Sequence, residues 1–407
     1  MPTIVRILFA SFGVMLVSSV GIAAALVVGT TSHIKAGTQL LQADGKVAPL
    51  PQVGPLEGGA NILLAGTDTR TGQGGSFNSQ DQLAGSSGAG NNDVTMLLHI
   101  SADHRSAAVI SIPRDLMVPI PECPDPSGGT FSAQSHSMFN TTLTEGLSCV
   151  VLTAQQLTGL TIKYAAAISF DGVINMSDAI GGVTVCLNAP IQDPSADLDL
   201  PAGNQTIKGA TALAFIRTRD GVGDGSDLGR ISNQQVFLSA MARQVVHGGV
   251  LSNPIALYQL ADAATKNLQT SASLSNPSSI MSLALAVKNV DLANILFLQW
   301  PTVADPADRN RVVTDPSAGD VLKAALASDQ PIQLTGGLGR GATTDPSPVV
   351  PAPTATPSPA DLLRIPTPTP TATATATATA APVVPVALPA SVTGQTAAQS
   401  TCSKANN

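Results

Sequence analysis

Three short apolar runs in the N-terminal half of the chain have the length and composition of buried strands, and each meets charged residues at one end. NILLAG (residues 61–66) opens into Asp68 and Arg70. VTMLLHI (94–100) begins immediately after Asp93. AAVISI (107–112) stops at Pro113, with Arg114 and Asp115 just beyond it. Further along, Leu147 to Leu160 has helical spacing, and AAAISFDG (165–172) reads as a strand. Val173 to Ile180 reads as a short helix closed by Gly181 and Gly182. GVTVCL (182–187) is strand-like, whereas Gly209 to Ile216 and Ile231 to Val246 are helical. Pro254 opens another helix at the one turn where proline is tolerated, and ANILFLQW (293–300) reads as a late strand. This alternation predicts an α/β (α+β) domain, helices layered on a mixed sheet, over residues 58–335.

The two ends differ from this pattern. Ile7 to Gly29 carries no charge, and about 20 apolar residues span a bilayer core as a helix. Arg6 and the α-amine precede it, which favours a cytoplasmic N-terminus for a membrane anchor over residues 1–30. A cleaved signal peptide has a shorter apolar core of ~7–15 residues, although the alanines at 23–25 keep a cleavage site open. Under either reading the rest of the chain is exported, with residues 31–57 as a linker. From residue 336 to 407 the chain turns rich in Pro, Thr and Ala, and this composition predicts an extended, disordered tail.

Cysteine usage agrees with export. Cys123 and Cys149 bracket a loop rich in Pro, Gly and Ser, and a disulfide between them would stabilise by roughly 3–4 kcal/mol. Cys186, within GVTVCL, reads as a free buried thiol. Cys402 in the tail is its alternative partner, and the sequence leaves that pairing open. A net charge of −7 excludes a nucleic-acid partner, whose backbone demands a basic face.

Only 12% of residues are charged, yet Arg217, Arg219 and Arg230 crowd together with Asp220, Asp224 and Asp227 directly after the apolar run ATALAFI. Two readings fit such a cluster. One is a solvated face of salt bridges, each worth ~0–1 kcal/mol. The other is an anion site, because guanidinium forks match phosphate geometry and repel one another unless an anion sits among them. The charged strand tips upstream favour the second, since active sites in α/β folds gather at such tips.

These motifs, taken in order, resemble the LytR-CpsA-Psr (LCP) family: GTDTR (66–70), Asp93 before TMLLHI, SIPRD (111–115), FIRTR (215–219), and Gly229-Arg230 followed by Gln234. The resemblance runs from Asn61 to Val246. It implies an α-β-α sandwich around a central mixed sheet, anchored in the plasma membrane by one helix, with an extracytoplasmic catalytic domain. The implied activity is a phosphotransferase that moves a glycopolymer from a polyprenyl-pyrophosphate carrier to a peptidoglycan hydroxyl. By the same resemblance, Asp68 and Asp93 hold Mg²⁺ (or Mn²⁺). Arg114, Arg217, Arg219 and Arg230 clamp the pyrophosphate, with Arg70 and Gln234 as further contacts. Asp227 falls where the family often has an acid.

The chemistry suits these residue types. Mg²⁺ takes oxygen ligands, commonly one or two carboxylates plus phosphate oxygens and waters. Phosphoryl transfer asks for positioning and charge stabilisation. Asp68 and Asp115 are the candidate bases for the acceptor hydroxyl, and both read equally as structural, Asp115 as a cap for the next turn. Two departures stand out: Met138 occupies the family's lysine position, and Asn233 a position where arginine is common. They keep open a hydrolase of the same bond and a non-catalytic carrier-binding scaffold.

Overall fold

The three apolar runs form the centre of a seven-stranded sheet. They are β1 (Ala60–Thr67), β2 (Asn92–Ile100) and β3 (Ala107–Ile112), paired antiparallel with Leu63 opposite Leu97 and Leu97 opposite Ile110. Two short strands follow, β4 (Met117–Ile120) and β5 (Gln134–Met138). Beyond β1 the sheet continues through β6 (Tyr164–Ile168), which runs parallel to it. A second, four-stranded sheet includes β7 (Val183–Leu187) and β8 (Gly203–Ile207). The central sheet continues with β9 (Leu268–Thr270) outside β6, and with β10 (Ile295–Gln299), parallel to β3. It is therefore mixed, as expected.

The structure, a computed structural model, describes chiefly residues 56–71, 88–125, 127–247, 267–275, 277–346 and 385–406, with scattered positions at 37–47, Gln73 and residue 264. The expected membrane segment, most of the linker, most of the helix expected after Pro254 and residues 347–384 lie outside the described residues. Among the described residues no helix is long and apolar enough to cross a membrane.

Strand alternation gives the sheet two apolar faces, and helices cover both. Leu63, Ala65, Leu97, Ala108, Ile110 and Leu298 face α1 (Leu147–Thr158), whose Val150, Val151 and Ala154 are buried against them. On the other face, α4 (Asp227–His247) sends Leu238 and Ala242 toward Ala107 and Phe297, and α5 (Pro277–Lys288) covers Ala60 and Ala166. The remaining helices are α2 (Phe170–Ala179), α3 (Gly209–Arg217) and α6 (Pro316–Ala327), the last packed with Leu322 in the same core as α1.

Local signals explain where several boundaries fall. Gly159 takes the left-handed conformation (φ 76°) that closes α1. The strand expected over AAAISFDG ends at Ile168, because Ser169 caps a helix: its Oγ accepts the Gly172 N–H at 3.2 Å. Phe170, Asp171 and Gly172 are thus helical. Helix α4 starts at Asp227, four residues ahead of the expected Ile231, and so carries Arg230.

The C-terminal tail corrects the expectation of disorder to residue 407. Ala342–Thr344 forms β11, Gly394–Thr396 forms β12 and Thr401–Ser403 forms β13. Strand β12 pairs with β10 at the edge of the central sheet, while β13 lies between β7 and β11 in the second sheet. Composition hid these strands because so few residues follow the Pro/Thr/Ala run, and their pairing partners are distant in sequence. Both disulfides form. Cys123–Cys149 is the expected one. Cys186 is not a free thiol: parallel pairing of β13 on β7 sets it opposite Cys402, with Cα atoms 4.4 Å apart, and the two are bonded.

Candidate active site

Because β1 and β3 both run antiparallel to β2, the C-terminal ends of β1 and β3 and the start of β2 share one edge. Asp68, Asp93 and Arg114 therefore converge from three strands. Asp68 is set by the turn at residues 88–91. The Thr67 Oγ1 donates to the Ala89 carbonyl at 2.5 Å, and Asp68 Oδ1 accepts the Asn91 N–H at 2.7 Å. Gly90 sits at φ 71°, and a Cβ there would stand 2.5 Å from Asp68 Oδ1, so the loop requires glycine. Asp93 is held from two sides: its Oδ1 accepts Arg114 Nη1 at 3.0 Å, and its backbone carbonyl accepts Arg230 Nη2 at 2.9 Å.

Helix α4 adds Asp227 and Arg230 one turn apart. Asp227 Oδ1 lies 2.5 Å from Arg230 Nη2 and 3.5 Å from Arg114 Nε, all three side chains being largely buried. Burial pushes the Asp227 carboxyl above its ordinary value. Arg230 and Arg114 oppose that rise, and Asp115 and Asp93 reinforce it. Arg114 shows the reverse: burial disfavours its charge, yet Asp93, Asp227 and Asp115 outweigh it and raise its pKa.

Helix α3 ends at Arg217, whose guanidinium lies over the Phe170 ring, 4.4 Å from its centre. Its pKa is lowered by burial first and then by the positive fields of Arg70 and Arg230, against the attraction of Asp93 and Asp68. Arg70, Arg217, Arg230, Asp68 and Asp93 thus share one electrostatic neighbourhood, with cations in close repulsion.

Two expected contacts are placed differently. Arg219 is half exposed and its ion pair is with Asp220, at 3.7 Å. Gln234 is buried, and its amide N–H donates to the Ile216 carbonyl at 2.8 Å, tying α4 to α3. Asn233 also serves the frame: it donates to the Phe215 carbonyl at 2.7 Å and accepts the Ser403 hydroxyl at 2.6 Å. Met138 lines a cleft of about 490 Å³ with Met117, His136, Glu145, Asp305 and Arg311. There His136 Nε2 lies 2.9 Å from Asp305 Oδ2, and burial raises the Glu145 pKa against a hydrogen bond from Gln134.

Sequence reasoning missed two residues that build the site. Asp193 is buried and binds the Thr218 hydroxyl at 2.6 Å and the Arg219 N–H at 3.2 Å, pinning the loop between α3 and α4. Its neighbour Pro194 was the available signal, since Asp before Pro marks a capped turn; Asp193 accepts from Ser195 and Ala196 as well. Arg311, contributed from beyond β10, reaches Asp115 Oδ1 at 3.2 Å. It lies in no motif.

The LytR_cpsA_psr family model matches residues 27–325. The chain belongs to the LytR_cpsA_psr family. Among curated relatives of this member, the cell wall biosynthesis protein LcpA of Corynebacterium glutamicum is 29% identical over 316 residues, covering 73% of this chain and 59% of LcpA. The probable cell wall biosynthesis protein LcpB of the same organism is 34% identical over 203 residues, covering 50% of this chain and 46% of LcpB. The chain thus spans about half the length of these relatives. A polyisoprenyl-teichoic acid–peptidoglycan teichoic acid transferase, TagT of Bacillus subtilis, is 25% identical over 287 residues, covering 69% of this chain and 81% of TagT. Among solved structures, protein gbs0355 of Streptococcus agalactiae superposes with TM-score 0.52 at 19% identity over 67% of this chain and 88% of that one. A LytR-Csp2A-Psr enzyme of Actinomyces oris gives 0.50 at 21% over 71% and 96%. The mixed sheet of this LCP protein is the one those structures share.

Proposed function

We propose that this LCP protein transfers a phosphoglycan from a polyprenyl-pyrophosphate carrier to a hydroxyl of peptidoglycan, outside the plasma membrane to which its N-terminal segment anchors it. The observation that carries the proposal is the crowding of Arg70, Arg114, Arg217 and Arg230 around Asp68 and Asp93. Charge-assisted hydrogen bonds contribute ~1.5–3 kcal/mol each, so such a set holds a pyrophosphate firmly in a partly dry pocket. Arg219, exposed at the rim, is free to close on a bound donor.

Asp68 and Asp93 fit a divalent cation. Asp93 commits one oxygen to Arg114, while the outer Asp68 oxygen has only a 3.4 Å contact from Asn91. Two carboxylates with oxygens to spare, beside a phosphate site, form the donor set Mg²⁺ or Mn²⁺ prefers. A cation bound there would neutralise charge on the pyrophosphate oxygens.

In the reaction the acceptor oxygen bonds to the sugar-linked phosphorus and the bond to the bridging oxygen breaks, releasing prenyl phosphate. Arg114, Arg217 and Arg230 stabilise the charge that develops on the phosphoryl oxygens. The hydroxyl proton passes to a carboxylate, and Asp115 is the better placed of the two candidates. It stands between Arg114 and Arg311, and Arg311 also lines the cleft in which a hydroxylated acceptor can lie.

The test incubates the full chain with a short prenyl-pyrophosphoryl oligosaccharide, with and without Mg²⁺ and peptidoglycan fragments. Prenyl phosphate release with sugar joined to the acceptor is expected. Release without joining would make the protein a pyrophosphatase, and binding without release a scaffold.

A further inference from the structure

The loop from Thr218 to Ser226 joins the helix that ends at Arg217 to the helix that carries Arg230, so its shape fixes the distance between the two guanidinium groups. One side of the loop is held by Asp193. The other is held by the last residues of the chain. Gly223 N–H donates to the Lys404 carbonyl at 2.8 Å, Asn406 N–H to the Gly221 carbonyl at 3.0 Å, and the Asn406 side chain to the Asp220 carbonyl at 2.9 Å. Val222, fully buried, bridges to Ala405. One residue further in, Ser403 donates to Asn233, whose amide donates in turn to Phe215 near the end of α3. The C-terminal strand therefore touches α4 and the loop, and reaches α3 through Asn233.

Two backbone hydrogen bonds and one from a side chain do not hold a segment by themselves. Here Cys402 is bonded to Cys186 of β7, and the Asn188 N–H, just past that strand, donates to the Ser403 carbonyl at 3.0 Å. We propose that the segment from Thr401 to Asn406 is a positioning strap for the arginine site, and that the Cys186–Cys402 disulfide is its latch. With the latch open, the strap leaves β7, the loop loses its partners at Gly221 and Gly223, and Arg217 and Arg230 lose their common register. Asn233 then has a clear purpose: an arginine at that buried position could not accept the Ser403 hydroxyl.

The inference deepens the pyrophosphate-transfer reading and rests on it for its functional half, while its structural half stands alone. The experiment compares the full chain with its Cys186→Ser/Cys402→Ser and Asn406→Ala forms by amide exchange, calorimetric titration with inorganic pyrophosphate, and turnover. Expected are faster exchange across residues 219–226, weaker pyrophosphate binding and a turnover lower on the order of 10- to 100-fold in the unlatched protein, with Asn406→Ala intermediate. Should the double serine form fail to fold, the Asn406→Ala and Ser403→Ala forms decide, with Ser403→Thr expected to restore what Ser403→Ala loses. Unchanged loop exchange and unchanged pyrophosphate affinity in folded variants would overturn the strap. If the native protein binds no pyrophosphate, the transfer reading falls, and the exchange data alone still decide whether the strap holds the loop.

Discussion

The guanidinium of Arg311 lies 3.2 Å from the carboxylate of Asp115, across 196 residues of sequence. The same carboxylate lies 3.8 Å from Arg114, which itself contacts Asp93 and Asp227. Asp115 is thus the junction between the arginine site and the adjoining cleft. Arg311→Ala should reduce turnover by about 10- to 100-fold, the range for losing one charge-assisted hydrogen bond, with donor affinity little changed. Arg311→Lys should recover part of it. Full turnover in Arg311→Ala would count against Asp115 as the base.

Arg217 is charged at a cost, since burial, Arg70 and Arg230 all disfavour its protonated form. Arg217→Ala should therefore leave the thermal midpoint unchanged or raise it, while turnover drops about 100-fold or more. Arg219→Ala should lose turnover mainly through donor affinity, because that side chain is exposed until a substrate engages it. Native-like turnover in both variants would refute the clamp.

Asp93 serves Arg114 and the proposed cation at once. Asp93→Ala should shift the Mg²⁺ titration of activity to higher concentration and lower the maximum reached at saturation. An unchanged titration midpoint would remove Asp93 from the metal set.

Asp227 carries a testable sign in its pH dependence. Its folded pKa is raised by burial, so its contribution to stability is fully present below the unfolded value of about 3.9 and is lost as pH rises through the folded value. Asp227→Asn cannot ionise. The difference in thermal midpoint, variant minus native, should become more positive from pH 4 to pH 7. A difference independent of pH would show that Asp227 is not titrating in that window.

Much of this arrangement was legible in the sequence because it is local. Apolar runs bounded by Asp68, Asp93 and Arg114 predict strands with charged tips, and the antiparallel pairing seen in the structure brings those tips together. The Cys123–Cys149 bond was legible for the same reason. What escaped depends on contacts between distant segments. Arg311 has no motif, and nothing near Cys402 announces that it pairs with β7. Asn233 looked like a weakened catalytic position because its partner, Ser403, sits beyond a run of residues whose composition suggests no structure. Gln234 escaped differently: its place on a helix was legible, but not that this helix packs it against α3, where it donates to the Ile216 carbonyl.

Strand β13 is an inner strand of the second sheet, yet it is made of residues 401–403. A polypeptide is made from its N-terminal end. Here β7, β8 and the arginine-bearing helices are all made before the strand that joins β7 to β11. The second sheet can close only once residues 401–403 have been made, so a chain cut before Cys402 lacks the strand that lies between β7 and β11.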